Sequence, residues 1–146
     1  MTATIPAYED DNLFAKILKG EIPSEKVFEN EAAIAIMDVM PQSKGHFLVI
    51  PKAPSRNLLD ASDATLQAVM PLVAKLARAA KAAFSADGVR IAQFNEETAG
   101  QTVFHLHFHV IPMYEGVELK RHAFGDVPRE TIKAHAEVIR AELAKG

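Results

Sequence analysis

The chain has 146 residues, six of them histidine and none cysteine, and its 16 basic and 19 acidic side chains leave a net charge of -3. Without cysteine there are no disulfides, no thiolate zinc site and no cysteine nucleophile, and without a long basic run the chain is not built to neutralise a nucleic-acid polymer, although small anions remain open to it. At 49% hydrophobic and 24% charged it has the composition of one globular domain able to bury a core unaided; with no basic, then apolar leader and no apolar run near the roughly 20 residues of a membrane span, a cytoplasmic protein with no membrane partner is expected.

In chain order, residues 11–19 predict a short helix with Leu13, Phe14, Ile17 and Leu18 as its apolar stripe and Gly20 as its stop. Two apolar runs between residues 26 and 38, separated by Glu29, Asn30 and Glu31, predict a hairpin, and residues 46–51 predict a third strand buried on both faces. Ser62 caps a predicted long helix in which Leu66, Val69, Val73, Leu76, Ala77, Ala80 and Phe84 recur at helical spacing. Pro71 falls inside it, and the lost hydrogen bond, at about 3 kcal/mol, predicts a kink or a split. After Asp87 and Gly88, residues 89–94 predict a strand, 95–101 a polar loop, and 102–111 a strand pairing antiparallel with the previous one. From Pro112 the chain reads as irregular until Pro128 opens a last helix with Ile132, Ile139 and Leu143 on one face.

The segment from Val103 to Ile111 alternates with period two. As a strand it places His105, His107 and His109 on one face and Phe104, Leu106, Phe108 and Val110 on the other, against the core. A helix would scatter residues i, i+2 and i+4 over steps of about 200°. A lone histidine on a polar face is usually a filler, but half of the chain's six histidines occupy consecutive positions of one face.

Two chemistries use such an array. Imidazoles on a strand can ligate zinc with a third ligand and an open position. Alternatively, neutral imidazole is a competent nucleophile near pH 7, and neighbouring donors can hold the oxygens of a phosphorus centre. Asn95, Gln101 and Thr102 supply neutral donors near the array, whereas no cluster of carboxylates or cysteines supports a metal, which favours phosphoryl or nucleotidyl transfer.

The run Gln101-Thr102-Val103-Phe104-His105-Leu106-His107-Phe108-His109-Val110-Ile111-Pro112 resembles the signature of the histidine triad family. Phe14-Ala15-Lys16-Ile17, Gly20-Glu21-Ile22-Pro23, Met37-Asp38-Val39-Met40-Pro41-Gln42 and Gly45-His46-Phe47-Leu48-Val49-Ile50-Pro51-Lys52 resemble the blocks of its Hint branch in order and spacing, so that the likeness covers residues 12–116. The resemblance implies an α+β fold: a single domain over residues 1–146 (core 12–116, C-terminal extension 117–146), with a five-stranded antiparallel sheet, one long helix and a C-terminal helix. It also implies a two-fold homodimer with a continuous sheet. It implies hydrolysis of purine nucleoside phosphoramidates at the α-phosphorus, releasing the nucleoside monophosphate. Dinucleoside polyphosphates are the second substrate class, and an idle nucleotide-binding or scaffold protein is the rival.

By the same resemblance His107 is the nucleophile that forms a nucleotidyl-histidine intermediate, His109 holds a phosphate oxygen, and His105 and His46 complete and orient the cluster. Asn95, Gln101 and Thr102 would line the phosphate and leaving-group side, Asp38 would grip the ribose hydroxyls, and Phe14, Ile17, Ile22 and Val39 would enclose the base. Some members carry a structural zinc on a Cys-x-x-Cys pair and a later histidine; here those places hold Asn12, Ala15 and Pro54, so no metal or other cofactor is expected. Asn95-Glu96-Glu97 replaces the glycine that often follows the asparagine. This brings two carboxylates toward the anionic site, where they would repel a polyphosphate or assist a cationic leaving amine. In a dimer, residues 113–127 would be able to reach the other subunit's pocket.

Overall fold

The structure, a computed structural model, describes residues 4–120 and 127–145. Helix α1 (Leu13–Leu18) starts where the Asn12 side chain accepts from the Ala15 N–H, and it ends at Gly20, whose φ of +80° an L side chain rarely adopts. The hairpin forms as β1 (Lys26–Glu29) and β2 (Ala33–Met37), its turn closed by the Asn30 side chain accepting from the N–H groups of Ala32 and Ala33. Then come β3 (Phe47–Pro51), α2 (Asp63–Ala83), β4 (Gly88–Ala92), β5 (Phe108–Met113) and α3 (Arg129–Ala144). Among the described residues five strands make one open sheet in the order β1-β2-β3-β5-β4, with every neighbouring pair antiparallel.

Both faces of the central strands are covered, so β2 and β3 read as continuous apolar runs without alternation. Ala35, Met37, Phe47 and Val49 pack under α2 and α3 through Val69, Val73, Leu76, Ile132, Ala136 and Ile139, while Ile34, Ile36, Leu48 and Ile50 face the other way, beneath Phe14 of α1. The sheet therefore carries a thick core on its helical face and a thinner apolar layer on the face that bears the site.

One expectation is narrowed, since of the kink or split expected at Pro71 the split does not form, and one is corrected. Helix α2 runs without a break through Pro71. Pro71 and Gln67, the residue whose carbonyl loses its partner, are both exposed, so the freed carbonyl lies on the solvent side of the helix and is not left buried. The last strand starts at Phe108 rather than at residue 102. The ladder from β3 stops because Val49 pairs with Phe108, after which Pro51 has no N–H to give and its carbonyl accepts from the His105 ring at 2.7 Å. Leu106 donates its N–H to the Ser55 carbonyl at 2.8 Å instead. The alternation holds for Leu106, Phe108 and Val110, which enter the core, but not for Phe104, which lies under the Arg56 guanidinium at 4.3 Å.

Candidate active site

A cavity of about 160 Å³ lies against the thin face of the sheet, and among its walls are Phe14, Ile17, Asp38, Val39, Thr102, His107 and His109. Of the residues expected to form the site, His46, His105, Ile22, Asn95 and Gln101 are not in its wall. Ile36 and Leu48 were not singled out in the sequence but form part of it. They alternate with core residues along strands buried on both sides, so no polar spacing marks their face.

His107 and His109 meet edge to face with centroids 5.1 Å apart, and Phe14 stands edge-on to His107 at 4.8 Å. Their hydrogen bonds fix which nitrogen carries each proton. A carbonyl can only accept, so His107 Nδ1 donates to the His105 carbonyl at 2.7 Å and the ring's basic lone pair is on Nε2. A backbone N–H can only donate, so Gln42 donates to His46 Nδ1 at 3.0 Å, which places the His46 proton on Nε2. That proton is given to His109 Nδ1 at 3.0 Å, and the His109 proton is therefore on Nε2. Gln42 is itself held by the chain after β5, donating its side-chain amide to the Lys120 carbonyl and accepting the Lys120 N–H on its own carbonyl. The pair in the wall thus consists of one Nε2 with a lone pair and one Nε2 with a proton.

Asp38 is buried, with Oδ1 accepting the Met40 N–H at 2.8 Å and Oδ2 lying 3.5 Å from His46 Nε2. Asp38, His46 and His109 bring ligand atoms within 4.8 Å of one another. The hydrogen-bond directions oppose a metal there: a cation on His46 Nε2 would move the ring proton to Nδ1, head-on to the Gln42 N–H. The places of the zinc ligands that the resemblance implies for some members do not fit a metal either, because the Ala15 and Pro54 side chains have no ligand atom and the Asn12 side chain is engaged in capping α1.

His105 is turned away from the cavity. Its Nε2 donates to Pro51 O, its Nδ1 accepts from Tyr8 Oη at 2.7 Å, and burial pushes its pKa below the ordinary histidine value. Its backbone carbonyl is its link to the site, through His107. Gln101 is likewise occupied: its amide donates to the Arg56 and Val103 carbonyls, while its oxygen accepts from Asn57 Nδ2 and the Glu96 N–H. The Asn95 oxygen accepts from the Leu58 N–H and its amide pairs with Gln93. Thr102 is the one of these three that reaches the cavity wall.

The carboxylates after Asn95 do not face the cavity. Glu96 takes a two-pronged ion pair from Arg56, both contacts at 2.9 Å, and a 2.6 Å bond from Asn57, and the guanidinium lowers its pKa. Its φ of +76° is costly for a side chain with a Cβ; the ion pair and the loop bonds from Ala99 and Gln101 to its carbonyl hold it there. The result is a strap that ties the loop before the histidines to residues 55–58.

Comparison with known proteins matches residues 19–116 to the HIT domain model. A Bacillus subtilis protein named "Protein hit" is 39% identical over 130 residues, 89% of this chain and 84% of its own. The Schizosaccharomyces pombe adenosine 5'-monophosphoramidase hnt1 is 39% identical over 100 residues, 68% of this chain and 72% of its own. The crystal structure of a Hit-like protein involved in cell-cycle regulation from Bartonella henselae superposes with a TM-score of 0.87 at 51% identity, over 93% of this chain and 99% of that one. With the HIT domain model matching residues 19–116 and a relative 39% identical over 89% of the chain, this protein belongs to the histidine triad (HIT) family.

Proposed function

We propose that the protein hydrolyses purine nucleoside 5'-phosphoramidates at the α-phosphorus, through a nucleotidyl-enzyme on His107. The observation that carries this reading is the complementary protonation of the two cavity histidines. His107 Nε2 attacks phosphorus with its lone pair; the P–N bond breaks, and the amine leaves with its electron pair and takes a proton from water. His109 Nε2–H donates to a non-bridging oxygen as charge builds on it, a role in which one donor contributes about 3 to 4 kcal/mol. Water then attacks phosphorus and breaks the P–Nε2 bond, its proton neutralising the hydroxide left when the amine was protonated, which gives the nucleoside monophosphate and restores the His107 lone pair. Asp38 takes the ribose hydroxyls, and Phe14, Ile17 and Val39 enclose the base.

The phosphoramidase activity named for the fission-yeast relative supports the choice of substrate. Dinucleoside polyphosphates come second; Glu96 is paired with Arg56, and neither it nor Glu97 lies in the cavity wall, which weakens the repulsion that would have counted against them. A homodimer is part of the proposal: β4 is one of the two sheet edges, and Ile91 on it and Phe94 just beyond are 43% and 39% exposed, a surface a second copy would cover. Turnover of a fluorogenic adenosine phosphoramidate is the direct test. Tight AMP binding with no turnover of it or of a dinucleoside polyphosphate would favour the idle-pocket rival.

A further inference from the structure

We propose that the nucleotide cavity opens, on the side away from the histidines, into a second chamber that receives a purine enlarged by an apolar substituent. This rests on the nucleotide reading above. A cavity of about 390 Å³, larger than the one at the histidines, shares Pro23, Ser24, Val39 and Met40 with it. Neither His107, His109 nor Thr102 touches this second space, so it joins the first at the base end and not at the phosphate end.

Its remaining walls are Glu25, next to the shared Ser24, and residues at the start of α3, a helix that takes no part in the histidine site. Val127 and the buried Ile132 supply an apolar floor at the start of α3, and Arg129 and Glu25 stand at its sides. Their charges are opposite, so the chamber has no net demand for a charged guest, and what it offers is apolar surface. Val39, part of both walls, is 64% exposed. A base held between α1 and Val39 would carry a substituent on its outer edge past that side chain and onto Ile132. The C-terminal helix, which lies beyond the residues matched to the HIT domain model, then sets which bases this chain accepts.

The test compares adenosine 5'-phosphoramidate with analogues carrying a benzyl group at purine N6 or C2, in the wild type and in Arg129→Trp, which fills the chamber from an exposed position of α3. At least one benzyl analogue should keep kcat/KM within threefold of the parent in the wild type. Arg129→Trp should lower that value tenfold or more while leaving the parent within threefold. If both analogues fall more than tenfold in the wild type, or if Arg129→Trp leaves the accepted analogue untouched or slows the parent equally, the chamber is not a base subsite. If the parent itself is not turned over, the proposed activity fails separately; the same comparisons made as Kd of the corresponding monophosphates by calorimetry then decide the chamber with the same thresholds.

Discussion

Gly45 is the place where the backbone that carries His46 is least tolerant of change. Its φ is +89°, and a Cβ there would lie no more than 3.0 Å from Cδ2, Cε2 and Cζ of Phe84. That ring packs on the core at the end of α2 and stands edge-on to His135 of α3, so it has little room to retreat. In Gly45→Ala the positive φ costs about 1 to 2 kcal/mol, and overpacking against Phe84 adds roughly 1 to 3 kcal/mol. Gly20→Ala provides the control: φ is +80° there, but nothing lies within 4 Å of the added methyl, so only the backbone cost applies. At about 2 to 4 °C per kcal/mol for a chain of this size, Gly45→Ala should melt roughly 2 to 12 °C below Gly20→Ala. Adding Phe84→Leu to Gly45→Ala should recover part of that gap. Equal melting temperatures for the two alanine variants in calorimetry would refute the close-packing argument.

Acid should weaken the fold through His105. Its pKa is lowered in the folded state by burial, so the unfolded chain takes up the proton first: this contribution is complete above the ordinary value near 6.5 and is lost as pH falls below it. Melting at pH 7.5 and 5.5 should therefore show a smaller acid loss in His105→Gln than in the wild type; an unchanged loss would remove His105 from the effect. Asp38→Asn keeps an acceptor for the Met40 N–H but loses the charge, and KM should rise about tenfold for ribonucleotide substrates. The rise should be smaller for 2'-deoxy analogues, and equal rises would end the ribose assignment. Activity should survive exhaustive chelation, because the proton directions at His46 oppose a metal; a loss reversed by added zinc would contradict this.

The hairpin, the buried third strand, the long helix and the C-terminal helix were all legible from apolar spacing and caps, because each rests on local chemistry such as Asn30 or Ser62. The start of β5 was not. Alternation from Val103 to Ile111 is real as a pattern, but pairing depends on what lies opposite, and Pro51 ends the ladder there. His105 was misplaced for the same reason: with residues 101–107 outside the sheet, its ring turns to Pro51 and Tyr8, and its carbonyl serves His107. Arg56 as the partner of Glu96 could not be read, since the two are 40 positions apart and no spacing rule joins them. The segment expected to reach a second subunit, 113–127, lies partly outside the described residues at 121–126.

The central claim is that His107 attacks phosphorus while His109 steadies the charge. Its most direct measurement is intact-protein mass spectrometry of the wild type, His107→Ala and His109→Ala, mixed with an adenosine phosphoramidate and quenched rapidly without acid. The wild type should carry one adenylyl group and His107→Ala none, with turnover abolished and AMP binding kept, since the base and ribose walls lie on other elements. His109→Ala should still form the adduct, with adenylylation slowed by a factor on the order of 10² to 10³. An adduct and wild-type turnover in His107→Ala would contradict the account.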